Sequence, residues 1–125
     1  MKFYAIKENH LFSKTYAKGK RAVLRTVCVY VLPDYHANRL QRENPLKSRI
    51  NRVGFTVTKK LGGAPARNRA KRVMREAFYQ AHKTHKIKTG YLVVIAARQE
   101  ATKVKTNEVY NDLIEGLKKT GMLIG

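Results

Sequence analysis

The stretch "APARNRAKRVMREAFYQAH", residues 64–82, decides how the rest of the chain is read, because it has to pack and carry charge at once. On a helical wheel at 100° per residue, Ala66, Ala70, Val73, Met74, Ala77 and Ala81 fall within a sector of roughly 100°, and Asn68, Lys71, Arg72, Arg75, Tyr79 and His82 fall within a similar sector opposite. The spacing predicts one helix with two jobs. Its alanine-rich side can lie close on a sheet, and its other side presents cations beside an amide, an aromatic ring and an imidazole. Arg67 and Arg69 flank the polar face near the first turn, where unpaired backbone N–H groups and the positive end of the helix dipole add to the attraction for phosphate. Cations in that turn repel the dipole, at roughly 0.3–1 kcal/mol each when exposed, and a face meant only for solvation would hold Asp and Glu there. The placement points to a phosphate-bearing partner.

Working outward, "TVTKKLGGAPARNR", residues 56–69, sends a strand into Lys59 and Lys60 and then a turn through Gly62, Gly63 and Pro65 into the helix. The two lysines, the turn and the helix start would form one continuous phosphate-binding surface. The glycine pair lacks the spacing of a Walker loop or a dinucleotide fingerprint, so no nucleotide site follows from it.

The whole chain agrees with a polyanionic partner. It has 125 residues with 27 Lys and Arg against 8 Asp and Glu, a net charge of +19. Nucleic acid is the default ligand for such a surplus and an anionic membrane the competitor, but the alanine face of residues 66–81 is too weakly hydrophobic for a membrane helix. With 43% hydrophobic residues the chain can bury a modest core, and its length fits one domain over residues 1–125. The single Cys28 rules out an internal disulfide framework or a cysteine zinc site. Neither a signal-peptide core nor an eighteen-residue apolar run is present, so the expectation is a soluble, cytoplasmic protein with no membrane partner.

Residues 9–18 read as a short helix closed by Gly19, with Phe12 and Tyr16 stacked at i, i+4, either as core or as surface. Residues 21–31 alternate, with Val23, Val27, Val29 and Val31 on one side and Leu24, Thr26, Cys28 and Tyr30 on the other, which predicts a strand covered on both faces. Residues 32–51, with two prolines and mixed charge, read as a long connection. Residues 52–58 alternate again, "YLVVIAA" at 91–97 is the continuous apolar run of a central strand, and 106–119 form a last helix with Val109, Tyr110, Leu113, Ile114 and Leu117 buried and Gly121 ending it. That makes three strands and three helices.

Nothing in the sequence builds a protein-borne catalytic centre. A metal-dependent nuclease needs carboxylates clustered around ions about 4 Å apart. Glu8, Asp34, Glu43, Glu76, Glu100, Glu108, Asp112 and Glu115 are scattered, and the three on the last helix read as a solvated stripe pairing with Lys105 and Lys119. His82 and His85 lack a third ligand and read as polar surface, or at most as phosphate contacts. Cys28, in a valine-rich strand, reads as a small buried filler.

The run from Val57 to Tyr79, above all Arg67-Asn68-Arg69 followed by Lys71-Arg72, Arg75 and Glu76, closely resembles the signature of the bacterial ribonuclease P protein subunit. Phe12, Tyr16 and Gly19 sit where that family has its N-terminal aromatic helix and turn, Tyr30 falls at the aromatic of the first strand, and "GYLVVIAAR" at 90–98 resembles the third strand. The resemblance covers roughly residues 7–120, with Pro65 and Ala66 departing from the bulkier apolar pair usual in the turn.

The resemblance implies an α+β chain, a single-domain sandwich of α-β-β-β-α-β-α order like the ribosomal protein S5 domain 2, with a small central sheet, packed helices and a left-handed βαβ crossover around the basic helix. The missing fourth strand would come from splitting residues 21–31 or from the segment around Arg98. It also implies a function: joining a large catalytic RNA that cuts the 5′ leader from precursor tRNA, with Mg²⁺ held mainly by the RNA, and with no catalytic residue and no protein partner on this chain's side. Arg67, Asn68, Arg69, Lys71, Arg72 and Arg75 would then grip structured RNA with Lys59 and Lys60, and Phe12, Tyr16 and Tyr30 would line a cleft for the single-stranded leader. A ribosomal or general RNA-chaperone protein is the alternative.

Overall fold

The computed structural model describes residues 3–35 and 51–124. Along the chain run β1 (Phe3–Ala5), α1 (Asn9–Lys18), β2 (Lys20–Val23), β3 (Val27–Pro33), β4 (Asn51–Thr56), α2 (Ala64–Thr84), β5 (Tyr91–Ala97) and α3 (Thr106–Lys119), with short 3-10 turns at Lys59–Leu61 and Gln99–Thr102. The strands form one mixed sheet in the order β1-β4-β5-β3-β2. β5 lies at its centre, antiparallel to β3 and parallel to β4, and α2 is the crossover joining the parallel pair.

That central place explains the apolar run at 91–97. Val93 and Ile95 face one way, with Val27, Val29, Val31 and Val53, into a core built with α2 and α3. Leu92 and Val94 face the other way, with Ile6 and Leu32, into a smaller cluster topped by Leu11 and Phe12 of α1. A strand buried on both faces has no polar side to alternate with.

Residues 21–31 are not one strand. β2 and β3 form an antiparallel hairpin in which Val23 lies opposite Cys28, and the chain reverses at Arg25 and Thr26, with the Leu24 N–H donating to the Val27 carbonyl at 2.9 Å. Asp112 on α3 holds the turn, accepting from the Thr26 N–H at 2.9 Å and its hydroxyl at 2.6 Å. Val23 is consequently 48% exposed, away from the valine face of β3. Each arm of a tight hairpin keeps period two, so alternation cannot see the reversal. This split supplies the fourth strand, and the unanticipated β1 supplies a fifth. The segment after Arg98 is a 3-10 turn instead, and β4 stops at Thr56, two residues early, where the Lys59–Leu61 turn follows.

α1 has the expected bounds, but Gly19 closes it at φ −77, outside the left-handed region. The need for glycine is steric: a Cβ there would come within 2.6 Å of the Thr15 carbonyl oxygen and 2.8 Å of the Val31 carbonyl oxygen. Gly121, at φ +76, does take the left-handed conformation expected after the last helix. The 32–51 connection falls largely on residues 36–50, outside the described residues, as does Glu43. Among the described residues no helix is long and apolar enough to cross a membrane.

Candidate nucleic-acid interface

α2 begins where Gly62, at φ 138, turns the chain and Pro65 occupies its first turn, with no acidic residue there. Its buried side holds Ala70, Val73, Met74, Ala77 and Ala81 as the wheel requires. Two further residues join them. Phe78 is fully buried, edge-on to Phe55 at 6.0 Å, and His82 is only 7% exposed with its ring edge-on to Phe78 at 4.7 Å. His82 therefore belongs to the core and not to the polar face or the surface, and burial holds its imidazole below the ordinary histidine value.

The outer face of α2 carries Asn68, Arg72 and Arg75 exposed and Lys71 half-exposed, with Lys59 and Lys60 exposed on the preceding turn. Two arginines differ from these. Arg69 turns its guanidinium onto the protein, donating to the carbonyls of Thr102 at 3.2 Å and Val104 at 3.0 Å, so that it ties the start of α2 to the approach of α3. Arg67 is half-buried, and its Nε is buried with no hydrogen-bond partner.

The carboxylates are spent elsewhere. Asp34, 2% exposed, takes a two-pronged bond from Arg52 at 2.6 and 2.8 Å, and Glu8 lies 3.8 Å from the same guanidinium. The hydrogen bonds it donates to Asp34 hold the Arg52 pKa above its ordinary value. Arg25 reaches Glu108 at 3.0 Å and Glu100 at 4.0 Å, and Lys119 reaches Glu115 at 3.9 Å. Asp112 holds Thr26, and Glu76 accepts from the Thr106 hydroxyl at 3.1 Å. Every described carboxylate thus has an internal partner, and among the described residues none forms an ion pair with Lys59, Lys60, Lys71, Arg72 or Arg75. The charge on that face is uncompensated, and repulsion among its cations favours any polyanion that neutralises them. Among the described residues no three His, Cys, Asp or Glu side chains converge as a metal site would require.

A second surface lies on the α1 side of the sheet. The Tyr16 and Tyr30 rings meet edge-on at 4.8 Å, and the Tyr16 hydroxyl shares a 3.0 Å hydrogen bond with the Thr56 hydroxyl. Tyr16 is 41% exposed, while Tyr30 and Phe12 are half-buried. Burial pushes the Tyr30 phenol up from its usual value, and Arg21 pulls the other way. Phe12 rests on Gly54, where any Cβ would drive into its ring. The structure thus brings Phe12, Tyr16 and Tyr30 onto one face, and Thr56 leads directly towards Lys59 and Lys60.

The two surfaces meet. A cleft of about 370 Å³ is lined by Ala5, Ile6 and Phe12 on one side, Val53, Gly54 and Phe55 on its floor, and Arg75 and Tyr79 on the other. The sequence signals only half of it, because Phe12 and Arg75 are legible as ring and cation while their meeting across the edge of β4 depends on topology. Thr56 and Arg21, which hold the tyrosines, carry no local signal at all.

A ribonuclease P family model matches residues 1–121. The chain is 35% identical over 117 residues to the ribonuclease P protein component of Macrococcus caseolyticus, spanning 94% of this chain and 90% of that one. It is 34% identical over 122 residues to the component of Symbiobacterium thermophilum, spanning 98% and 95%. Among solved structures, it matches the Staphylococcus aureus RNase P protein with a TM-score of 0.75 at 32% identity, covering 98% of this chain and 100% of that one. The Thermotoga maritima RNase P protein, at 22% identity and a TM-score of 0.70 over 92% and 96%, shares the fold.

Proposed function

The chain belongs to the ribonuclease P protein family, and on that premise we propose that it binds a large catalytic RNA and the 5′ leader of precursor tRNA, assisting removal of the leader. The observation that carries the reading is the uncompensated cation face of α2, with Lys59 and Lys60, running into an aromatic surface across one cleft. Arg67, Asn68, Lys71, Arg72 and Arg75 engage the backbone of structured RNA, with guanidinium forks pairing to phosphates. Such contacts position more than they specify. Arg69 contributes chiefly by holding the helix start in place for its neighbours.

Tyr16, Tyr30 and Phe12 offer ring faces and edges to unpaired bases, which stack on any aromatic regardless of sequence. The protein acts by alignment: cations let two polyanions approach, and stacking holds the leader while the RNA performs the cut. The Mg²⁺ ions of the reaction belong to the RNA in this reading, and the isolated protein cleaves nothing. The setting is the cytoplasm, in a single RNA-binding domain over residues 1–125. In this reading the parallel β4–α2–β5 unit would be the left-handed crossover of a fold like the ribosomal protein S5 domain 2.

The test is reconstitution with RNA from the source cell, followed by cleavage and binding assays on precursor and mature tRNA. Tighter binding of the leader-bearing form and cleavage only in the presence of the RNA are expected. Equal affinity for the two tRNA forms would favour the RNA-chaperone alternative, and cleavage by RNA-free protein would refute RNA catalysis.

A further inference from the structure

A second group of cations lies at the far end of α2. The helix ends at Thr84, and the chain then runs through His85, Lys86, Ile87 and Lys88 before β5 begins at Tyr91. This short segment is pinned from behind. Ile87 is buried and faces Leu123 in an antiparallel bridge, with the Lys88 N–H donating to the Met122 carbonyl at 2.8 Å and the Ile124 N–H donating to the Lys86 carbonyl at 3.0 Å. Alternate side chains of an extended segment point to opposite sides, so with Ile87 in the core Lys86 and Lys88 stand outward together, and both are exposed. At about 3.3 Å per residue they are roughly 7 Å apart, comparable with the step between successive phosphates of one nucleic-acid strand. Lys83 in the last turn of α2 and Lys118 in the last turn of α3 are exposed at the same pole.

Cations in the last turn of a helix complement its dipole, which accounts for Lys83, Lys118 and Lys119. Lys86 and Lys88 lie past the helix and have no such role. Glu115 pairs with Lys119, and among the described residues no carboxylate forms an ion pair with Lys83, Lys86, Lys88 or Lys118. We infer that this pole is a second RNA surface, holding a segment of the catalytic RNA separate from the one gripped at the start of α2. The inference rests on the proposed RNA partner and adds Lys86, Lys88 and His85 to its contacts. The separation follows from α2 itself: at about 1.5 Å per residue its 21 residues set the two ends about 30 Å apart. Between Arg75 and Lys83 the helix has Glu76 and no Lys or Arg, so the cationic face is interrupted and not continuous. His85 supplies the preference for RNA. The Thr84 hydroxyl gives its one proton to the Gln80 carbonyl at 2.9 Å, so it accepts from the Tyr110 hydroxyl at 2.7 Å and from His85 Nδ1 at 2.9 Å. That places the proton of the neutral ring on Nδ1 and leaves Nε2 as an acceptor between Lys83 and Lys86. Phosphates have no donor for it, whereas the 2′-hydroxyl of RNA does.

The experiment is a salt titration of holoenzyme assembly, with thermal unfolding of each variant alongside. Lys86→Gln combined with Lys88→Gln should flatten the log–log salt dependence by about two units, one per lost phosphate contact, and leave the ratio of precursor to mature tRNA affinity unchanged. Both lysines are exposed, so unfolding should not move. His85→Phe keeps a ring but removes both nitrogens, and should weaken assembly about threefold with the slope retained. A hydroxyl-radical source tethered at Lys88→Cys, in a Cys28→Ser background, should cut the catalytic RNA at nucleotides that the same source at Arg72→Cys does not reach. A parental salt slope in the double variant, or cuts from Lys88→Cys that are absent or coincide with those from Arg72→Cys, overturns the second surface alone. A parent that does not assemble with the RNA removes the proposed RNA partner as well.

Discussion

On the side of the sheet covered by α2 and α3, the core includes Phe78, Met74, Ile95, Leu113 and Leu117, all fully buried. On the side covered by α1, the buried residues are Ile6, Leu32, Leu92 and Val94, and the rings around them, Phe12 and Tyr30, are only partly covered. One face is sealed by two helices of 21 and 14 residues, the other is roofed by one of 10. The sealed face carries stability. The open one leaves aromatic surface in water, which costs hydrophobic stabilisation that a closed packing would gain and makes sense where a ligand covers it.

The largest expected effect probes the sealed side. Phe78→Ala should lower unfolding free energy by about 3–5 kcal/mol in a denaturant titration, because the ring is fully enclosed and its neighbours cannot collapse into the space. Tyr16→Ala, on the open side, should cost far less in the same titration and instead weaken precursor binding by roughly 1–3 kcal/mol relative to mature tRNA. Equal stability losses in the two variants would erase the contrast between the faces.

A comparable loss is expected where the open side is anchored. Arg52→Leu removes the two-pronged bond to the Asp34 carboxylate, which is 2% exposed, and breaking a buried pair by removing one partner costs about 3–5 kcal/mol. Arg52→Leu with Asp34→Asn should recover part of that stability, because the buried negative charge is then removed together with the cation that balanced it. A double variant no better than the single one would show that the ion pair matters through its shape and not its charge.

The uncompensated face of α2 should respond to salt, not to denaturant. Arg72→Gln and Arg75→Gln are expected to leave unfolding nearly unchanged, while each flattens the log–log salt dependence of RNA assembly by about one unit. Asn68→Ala should weaken binding with little change of slope, since an amide displaces no counterion. Salt slopes identical to the parent's would mark the face as merely solvated.

How far the sequence could be read follows the same division. α1 was legible to the residue from its paired rings and closing glycine, the centre of β5 from its unbroken apolar run, and the alanine stripe of α2 from its helical period. Phe78 and His82 escaped because they sit in projection beside Arg67 and Lys71, which are half-exposed nearer the helix start. A single sector cannot describe a helix whose second half is covered where its first half is open. The β2–β3 reversal and β1 escaped because each arm keeps period two on its own side of a tight turn and three residues are too few to show it. Of the site, residue types were legible, but the pairing of Tyr16 with Thr56, forty positions apart, was not.

The smallest effect distinguishes the faces by pH. His82 lies on the sealed side against Phe78, and burial holds its pKa in the folded protein below the value of about 6.5 expected when unfolded. Between those two values the unfolded chain binds the proton and the folded one does not, so stability must rise with pH there. Its contribution is therefore complete above about pH 6.5 and is lost as pH falls through that value towards the folded pKa. The midpoint of thermal unfolding, followed from pH 7.5 to 5, should drop more steeply for the parent than for His82→Gln, which has no proton to take up. Parallel curves would mean that His82 is protonated in place, and that the sealed face admits more water than its packing implies.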